Sequence, residues 1–229
     1  MSPRPLRLRD VAAITFDCYG TLIDWEEGAR GTLRALLARR DARADESLFF
    51  ERWERAQWEH IQRAYAPYRE ITAQSFLEVA AQQGLPLDAS DARAFADSIS
   101  RWAPFPDVSP ALARLRQKGF LLGIISNIDD AILAESVTLL GVEFSLLLTA
   151  EQARAYKPSP LPFQRALEKL QLPAEQVAHA AFGFEYDIST ASQLGFRTIL
   201  VRRRRARFPP APLPDLVVAD LQELVALLE

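Results

Sequence analysis

The feature that most constrains the fold is a rhythm of short apolar runs separated by segments of helical periodicity. Runs at 11–17, 120–126, 145–149, 177–182, 198–201 and 216–219 read as strands. Segments 109–118, 129–140, 160–170, 187–194 and 220–228 read as helices between them. Gly119, Gly141 and Gly195 follow three of these segments, as helix-terminating glycines do. Strands that are apolar on both faces and joined by helical crossovers build a parallel sheet covered on both sides. The expectation is an α/β fold, a doubly wound (Rossmann-like) parallel sheet.

One stretch breaks the rhythm. Between residues 25 and 103 there is no β-like run, and four helices are predicted near 26–40, 46–64, 70–83 and 88–101. Turn signals separate them at Asp41-Ala42-Arg43, Ala66-Pro67 and Gly84-Leu85-Pro86. A helical block placed after the first strand reads as an insertion. The expected division is an α/β core at 1–24 and 104–229, with a helical cap subdomain at 25–103. Pro104-Phe105-Pro106 reads as the return linker.

Composition removes several function classes. The chain has 229 residues, with 27 Lys plus Arg against 30 Asp plus Glu, for a net charge of −3. That balance gives no global attraction to nucleic acid or to an anionic membrane. Hydrophobic residues make up 49% and charged residues 25%, values of a packed globular chain and not of a disordered one. A single cysteine, Cys18, excludes an internal disulfide framework and a cysteine zinc cage. His60 and His179 have no metal-ligand spacing and read as surface or core residues, so a His-rich metal site is not expected. Residues 1–7 carry charge with no apolar stretch behind them, and no apolar run approaches 18 residues. A cytoplasmic protein is expected. The basic run Arg202-Arg203-Arg204-Arg205-Ala206-Arg207 reads as a solvated loop.

Parallel sheets bind ligands at the carboxyl ends of their strands. The first predicted strand delivers Asp17, followed by Cys18-Tyr19-Gly20-Thr21; the second delivers Ser126-Asn127. Lys157-Pro158 follows the third, and Glu185 and Asp187 follow the fourth. Taken singly, each is an ordinary cap or turn residue, and Ser126 and Asp187 suit helix starts. Together they bring a carboxylate, hydroxyls, an amide, an ammonium and a second acid to one sheet edge.

These motifs resemble those of the haloacid dehalogenase superfamily. Phe16-Asp17-Cys18-Tyr19-Gly20-Thr21-Leu22-Ile23-Asp24 is similar to its first motif, Ser126-Asn127 to its second, Lys157-Pro158 to its third and the segment up to Asp187 to its fourth. The resemblance covers residues 11–24 and 104–220, and it implies a nucleophilic Asp17 that forms a covalent intermediate. Phosphatases of the superfamily carry an acid two residues after the nucleophile, where this chain has Tyr19. They also carry a Mg²⁺-binding Asp four or five residues before the last acid, where it has Gly183 and Phe182. Both departures point to the 2-haloacid dehalogenase branch, because halide leaves as a stable anion and needs neither metal nor acid; the resemblance to that branch implies no metal and no other cofactor.

The implied substrate is a small halogenated carboxylate, displaced at carbon by Asp17 and released by water as a 2-hydroxy acid. The resemblance gives Lys157 the task of holding Asp17 ionised, and Asp187 that of positioning Lys157 and water. Thr21 and Ser126 would hydrogen-bond the nucleophile or the substrate, and Asn127 would face the halide. Cys18 and Tyr19 belong to the loop around the substrate, Trp25 to the pocket wall, and a cap arginine, Arg55 ahead of Arg52, to the halide. Trp53 and Trp58 either line the pocket or pack the cap. Phe163, Phe182 and Phe184 replace polar residues of the branch and imply a drier site. The cap's apolar faces could also join a homodimer. The rival readings are a Mg²⁺-dependent phosphatase using Glu185 or Asp187, and a binding protein without catalysis.

Overall fold

A computed structural model of the chain describes residues 10–203 and 212–227. Its sheet has six strands: β1 (Ala13–Phe16), β2 (Leu121–Ser126), β3 (Leu146–Thr149), β4 (Val177–Ala181), β5 (Arg197–Val201) and β6 (Leu216–Val218). Their order is β3-β2-β1-β4-β5-β6, and every pairing is parallel. Strand order reverses about β1, whose neighbours are β2 and β4. That switch point is where a doubly wound sheet opens a crevice, and Asp17 is the residue at its lip.

The sequence-predicted strands all exist; five are trimmed by one to three residues, and β5 begins one residue earlier than expected, at Arg197. Four long helices follow β1: α1 (Trp25–Arg39), α2 (Glu46–Ile61), α3 (Tyr68–Gln82) and α4 (Ala89–Ser98). The crossovers are α5 (Val108–Gln117), α6 (Asp130–Ser136), α7 (Ala150–Ala153), α8 (Leu161–Leu170), α9 (Ser189–Gln193) and α10 (Leu221–Ala226). The predicted helix 187–194 is corrected in part: a single π-helical turn at Phe184–Ile188 precedes a shorter α9. The predicted helix 129–140 likewise ends in a 3₁₀ turn over Val137–Leu140, closed by left-handed Gly141.

Both sheet faces are covered. On one side Ile14 and Phe16 join Leu112 and Leu115 of α5, Leu133 of α6, and Leu221 and Leu224 of α10. On the other, Ala13 and Ile125 pack with Phe163 and Ala166 of α8 and Ala191 of α9. The four inserted helices close over a largely aromatic centre in which Trp53 meets Phe95 edge-on at 4.9 Å and lies 5.9 Å from Trp25. A methyl group at Gly28 in α1 would run into the Trp102 ring, so this glycine lets that ring sit directly on the helix backbone.

Two contacts fasten α3 to the loops of the sheet. Pro67 at its start supplies no side-chain cap. The Asp129 carboxylate takes over, accepting from the N–H groups of Tyr68 (2.7 Å) and Arg69 (2.9 Å). The Tyr156 hydroxyl donates to the Ala66 carbonyl at 2.7 Å.

The basic run is corrected at one position. Arg203 is largely buried, forks onto both oxygens of Asp107 at 2.8 Å and donates to the Thr21 carbonyl at 3.1 Å. Arg204, Arg205 and Arg207 lie outside the described residues, as do residues 1–7. Among the described residues no helix is long and apolar enough to cross a membrane.

Candidate active site

Of the sheet-edge residues singled out by position, Asp17, Tyr19, Ser126, Asn127, Lys157 and Asp187 line the crevice at β1, whereas Glu185 does not. Asp17 leaves the end of β1 with its carboxylate split between two donors. Lys157 Nζ donates to Oδ1 at 2.9 Å, and Thr21 Oγ1 donates to Oδ2 at 3.0 Å. Thr21 also accepts from the Phe182 N–H at 3.0 Å, which ties the first-strand loop to the end of β4. Gly20 turns that loop with φ +98°, and a methyl group there would strike the Phe182 ring. The turn takes up the N–H groups of Gly20, Thr21, Leu22 and Ile23, whereas those of Cys18 and Tyr19 have no protein acceptor among the described residues.

Lys157 is buried to 1% exposure and its ammonium is fully engaged. Its three donors reach Asp17 Oδ1, Asp187 Oδ1 (2.5 Å) and the Ile125 carbonyl (2.9 Å). Desolvation disfavours the ammonium, but the two carboxylates outweigh it and hold Lys157 above its ordinary pKa. Burial pushes the Asp17 carboxyl up, with Asp187 adding to the rise and Lys157 opposing it. Burial would raise Asp187 as well, yet Lys157 and the bond from His179 together keep it below its ordinary value.

His179 is the residue sequence reading missed. It sits inside β4 at zero exposure and spans two groups: Nε2 lies 2.9 Å from Asp187 Oδ1, and Nδ1 lies 3.0 Å from Thr15 Oγ1. A carboxylate only accepts, so Nε2 carries the proton and in the neutral ring Nδ1 accepts from Thr15. With Lys157 and His179 both on Oδ1, Asp187 keeps Oδ2 without a hydrogen bond among the described residues. Phe163 stacks edge-on against the imidazole at 5.1 Å.

The remaining expectations divide. Ser126, Tyr19 and Trp25 line the crevice, together with Trp58 and Trp102. The Tyr19 hydroxyl turns back to Ser136 Oγ at 2.7 Å. Asn127 lines the crevice too, but its amide clamps the Lys157 backbone, with Oδ1 accepting at 2.7 Å and Nδ2 donating at 3.0 Å. Its main contact is therefore the ammonium-bearing residue. Trp53 is packed in the helical core instead of the crevice. Phe182 faces the crevice, whereas Phe184 packs with Ala181, Ile188 and Leu200, and Glu185 is exposed.

Two side chains expected at the pocket are corrected. Cys18 is wholly buried in the core and is not among the residues lining the crevice, and burial holds its thiol well above the ordinary value. Arg55 points away and pairs with Glu51 one turn earlier at 3.0 Å, where both are exposed. The face of α2 that reaches the crevice carries Glu54, Gln57, Trp58 and Ile61, spaced at three and four. A step of one residue swings a side chain by about 100° on a helix, and that takes Arg55 off this face.

The family model for haloacid dehalogenase-like hydrolases matches residues 11–195, most of the chain. The chain belongs to this family. Among curated relatives it is 28% identical to haloacetate dehalogenase H-2 of Moraxella sp. (strain B), over 96% of this chain and 99% of that one. It is 24% identical to an (S)-2-haloacid dehalogenase of Pseudomonas putida, over 95% and 96% respectively. Among solved structures, a defluorinating L-2-haloacid dehalogenase superposes with a TM-score of 0.85 at 21% identity, covering 97% of this chain and 98% of that one. The L-2-haloacid dehalogenase of Xanthobacter autotrophicus with chloropropionic acid covalently bound gives 0.82 at 24%, covering 95% and 98%. At these identities the two structural likenesses establish the fold.

Phosphatases of this fold family use Mg²⁺, and the residues here do not fit it. A hard cation needs several side-chain oxygens. Lys157 Nζ occupies the space between Asp17 and Asp187, and Phe182 and Gly183 offer no side-chain donor.

Proposed function

We propose that this hydrolase breaks the carbon–halogen bond of small 2-haloalkanoic acids through an ester on Asp17. The observation that carries the reading is a buried carboxylate oriented by one ammonium and one hydroxyl at the mouth of an aromatic crevice. The likeness to haloacetate and (S)-2-haloacid dehalogenases along nearly the whole chain supports the same reading.

In the first step an Asp17 oxygen attacks the halogen-bearing carbon. The C–O bond forms as the C–halogen bond breaks, and the halide leaves with the bonding pair. The unpaired N–H groups of Cys18 and Tyr19, with Ser126, receive the substrate carboxylate. In the second step water attacks the carbonyl carbon of the Asp17 ester, whose oxygen Lys157 polarises. Asp187 Oδ2 orients that water, with His179 as the positioning residue that fixes the carboxylate. One water proton ends on the product hydroxyl and the other reaches solvent as Asp17 ionises again.

The helical segment 25–103 acts as a cap over the α/β core at 1–24 and 104–229. This is supported by the side chains that α2 contributes to the crevice wall.

The test is halide release from chloroacetate, fluoroacetate and both 2-chloropropionate enantiomers with EDTA present, followed by one turnover in ¹⁸O-water. Label in the Asp17 carboxylate, and none in the product hydroxyl after the first turnover, is expected. Label that enters the hydroxyl directly, or turnover confined to a phosphate ester with Mg²⁺, overturns the reading.

Acid inactivation follows from the same geometry. Only ionised Asp17 attacks, and burial raises its pKa above the ordinary 3.8. Activity is therefore full above the raised value and lost as pH falls through it. The acid limb of kcat/KM against pH is expected to lie above the range of an exposed aspartate; a limb at or below 3.8 contradicts the assignment.

A further inference from the structure

The second acid of the site sits on a wide turn. The Ile188 N–H donates to the Gly183 carbonyl at 3.2 Å, closing the single π-helical turn that brings Asp187 back over Gly183. Gly183 has φ −80° and ψ 112°, an extended conformation open to any residue, so the backbone does not call for glycine. Space does. A methyl group there would lie 2.9 Å from Asp187 Oδ2 and 3.3 Å from the Tyr186 ring. The carboxylate has little freedom to turn away, because Oδ1 accepts from Lys157 at 2.5 Å and from His179 at 2.9 Å. Oδ2 is the oxygen left for a further donor, and the missing side chain keeps its flank open.

The grip on Oδ1 is built into the sheet. Thr15 and His179 are register partners on β1 and β4, and the Thr15 hydroxyl donates to Nδ1 at 3.0 Å. That bond leaves the Nε2 proton for Asp187. One ammonium, that of Lys157, touches both Asp17 and Asp187, so an ester on Asp17 would form beside the second carboxylate. We propose that Gly183 and the Thr15–His179 pair are positioning residues for the water that hydrolyses this ester. The pair presents Oδ2, and the glycine gives the water its place against it. The water oxygen bonds to the ester carbonyl carbon, and the bond from that carbon to the product oxygen breaks. One water proton ends on the product oxygen and the other leaves as Asp17 ionises. Displacement of halide uses no water, so it does not need these residues. This deepens the dehalogenase reading and rests on it for the ester itself.

The test follows halide, hydroxy acid and ester separately. Full-length wild type, Gly183→Ala, His179→Leu and His179→Gln are mixed with 2-chloropropionate. Quenched flow reads the two products, and intact mass reads the ester. Glutamine can still donate to Oδ1, and leucine cannot. Gly183→Ala and His179→Leu are expected to lower the rate of ester hydrolysis relative to that of halide release at least about tenfold, with the ester accumulating on the protein. His179→Gln should hydrolyse the ester faster than His179→Leu. A role in packing alone would lower both rates, or the active fraction, and leave their ratio within about tenfold of wild type. That result in either folded variant, or no gain from glutamine, overturns the inference and leaves the dehalogenase reading standing. Gly183→Ala alone decides if the histidine variants fail to fold. No halide from the wild-type protein, with this acid or the others named above, sinks both.

Discussion

Asp17→Asn should abolish halide release, by at least about 10³-fold in kcat, with the fold intact. The amide keeps the shape of the carboxylate and can still accept from Thr21, but it is a far weaker nucleophile. The variant should also leave substrate binding within a few-fold, because the groups proposed to receive the substrate carboxylate, the Cys18 and Tyr19 amides and Ser126, are untouched. Stopped-flow halide detection and calorimetry on the same sample separate these outcomes. Halide release within tenfold of wild type would mean that water attacks the substrate directly.

Lys157→Ala should have the largest effect on stability. It removes the counter-charge from two carboxylates that are almost completely buried, and breaking such a set costs about 3–5 kcal/mol. The effect carries a pH signature. Without the ammonium, Asp17 and Asp187 face each other with pKa values raised above their unfolded values, so the folded state binds more protons than the unfolded one. Stability of the variant is then greatest at low pH and falls as pH rises through the raised values. Urea midpoints for Lys157→Ala should be lower at pH 8 than at pH 5, beyond any difference in wild type. Equal losses at both pH values would reduce Lys157 to a packing residue.

The sheet and the residues at its edge were legible because their signals are local. An apolar run that ends in Asp17, or in Ser126, announces both a strand and the crevice beyond it. What was hidden depends on partners far along the chain. His179 lies in the middle of an apolar strand and reads as core, and only the return of Asp187 beneath it makes it part of the site. Arg55 and Glu54 differ by one step on α2, and their order against the crevice is fixed by helix phase, which the motif does not reveal. Arg203 belongs to a charge run by sequence, yet its partner Asp107 is 96 residues away. Asp129 stands at the cap position of α6, yet its carboxylate serves α3 instead.

That last arrangement has a kinetic meaning. Helix α3, whose first residue Tyr68 lines the crevice, begins at a carboxylate from the sheet loop beside Asn127, so it cannot swing outward as a rigid body and keep that end intact. Moving it exposes the N–H groups of Tyr68 and Arg69 together, and both must find water before the mouth widens. Any opening of the crevice at this side would therefore show as fraying of one helix end. Hydrogen exchange at those two amides would time such an opening.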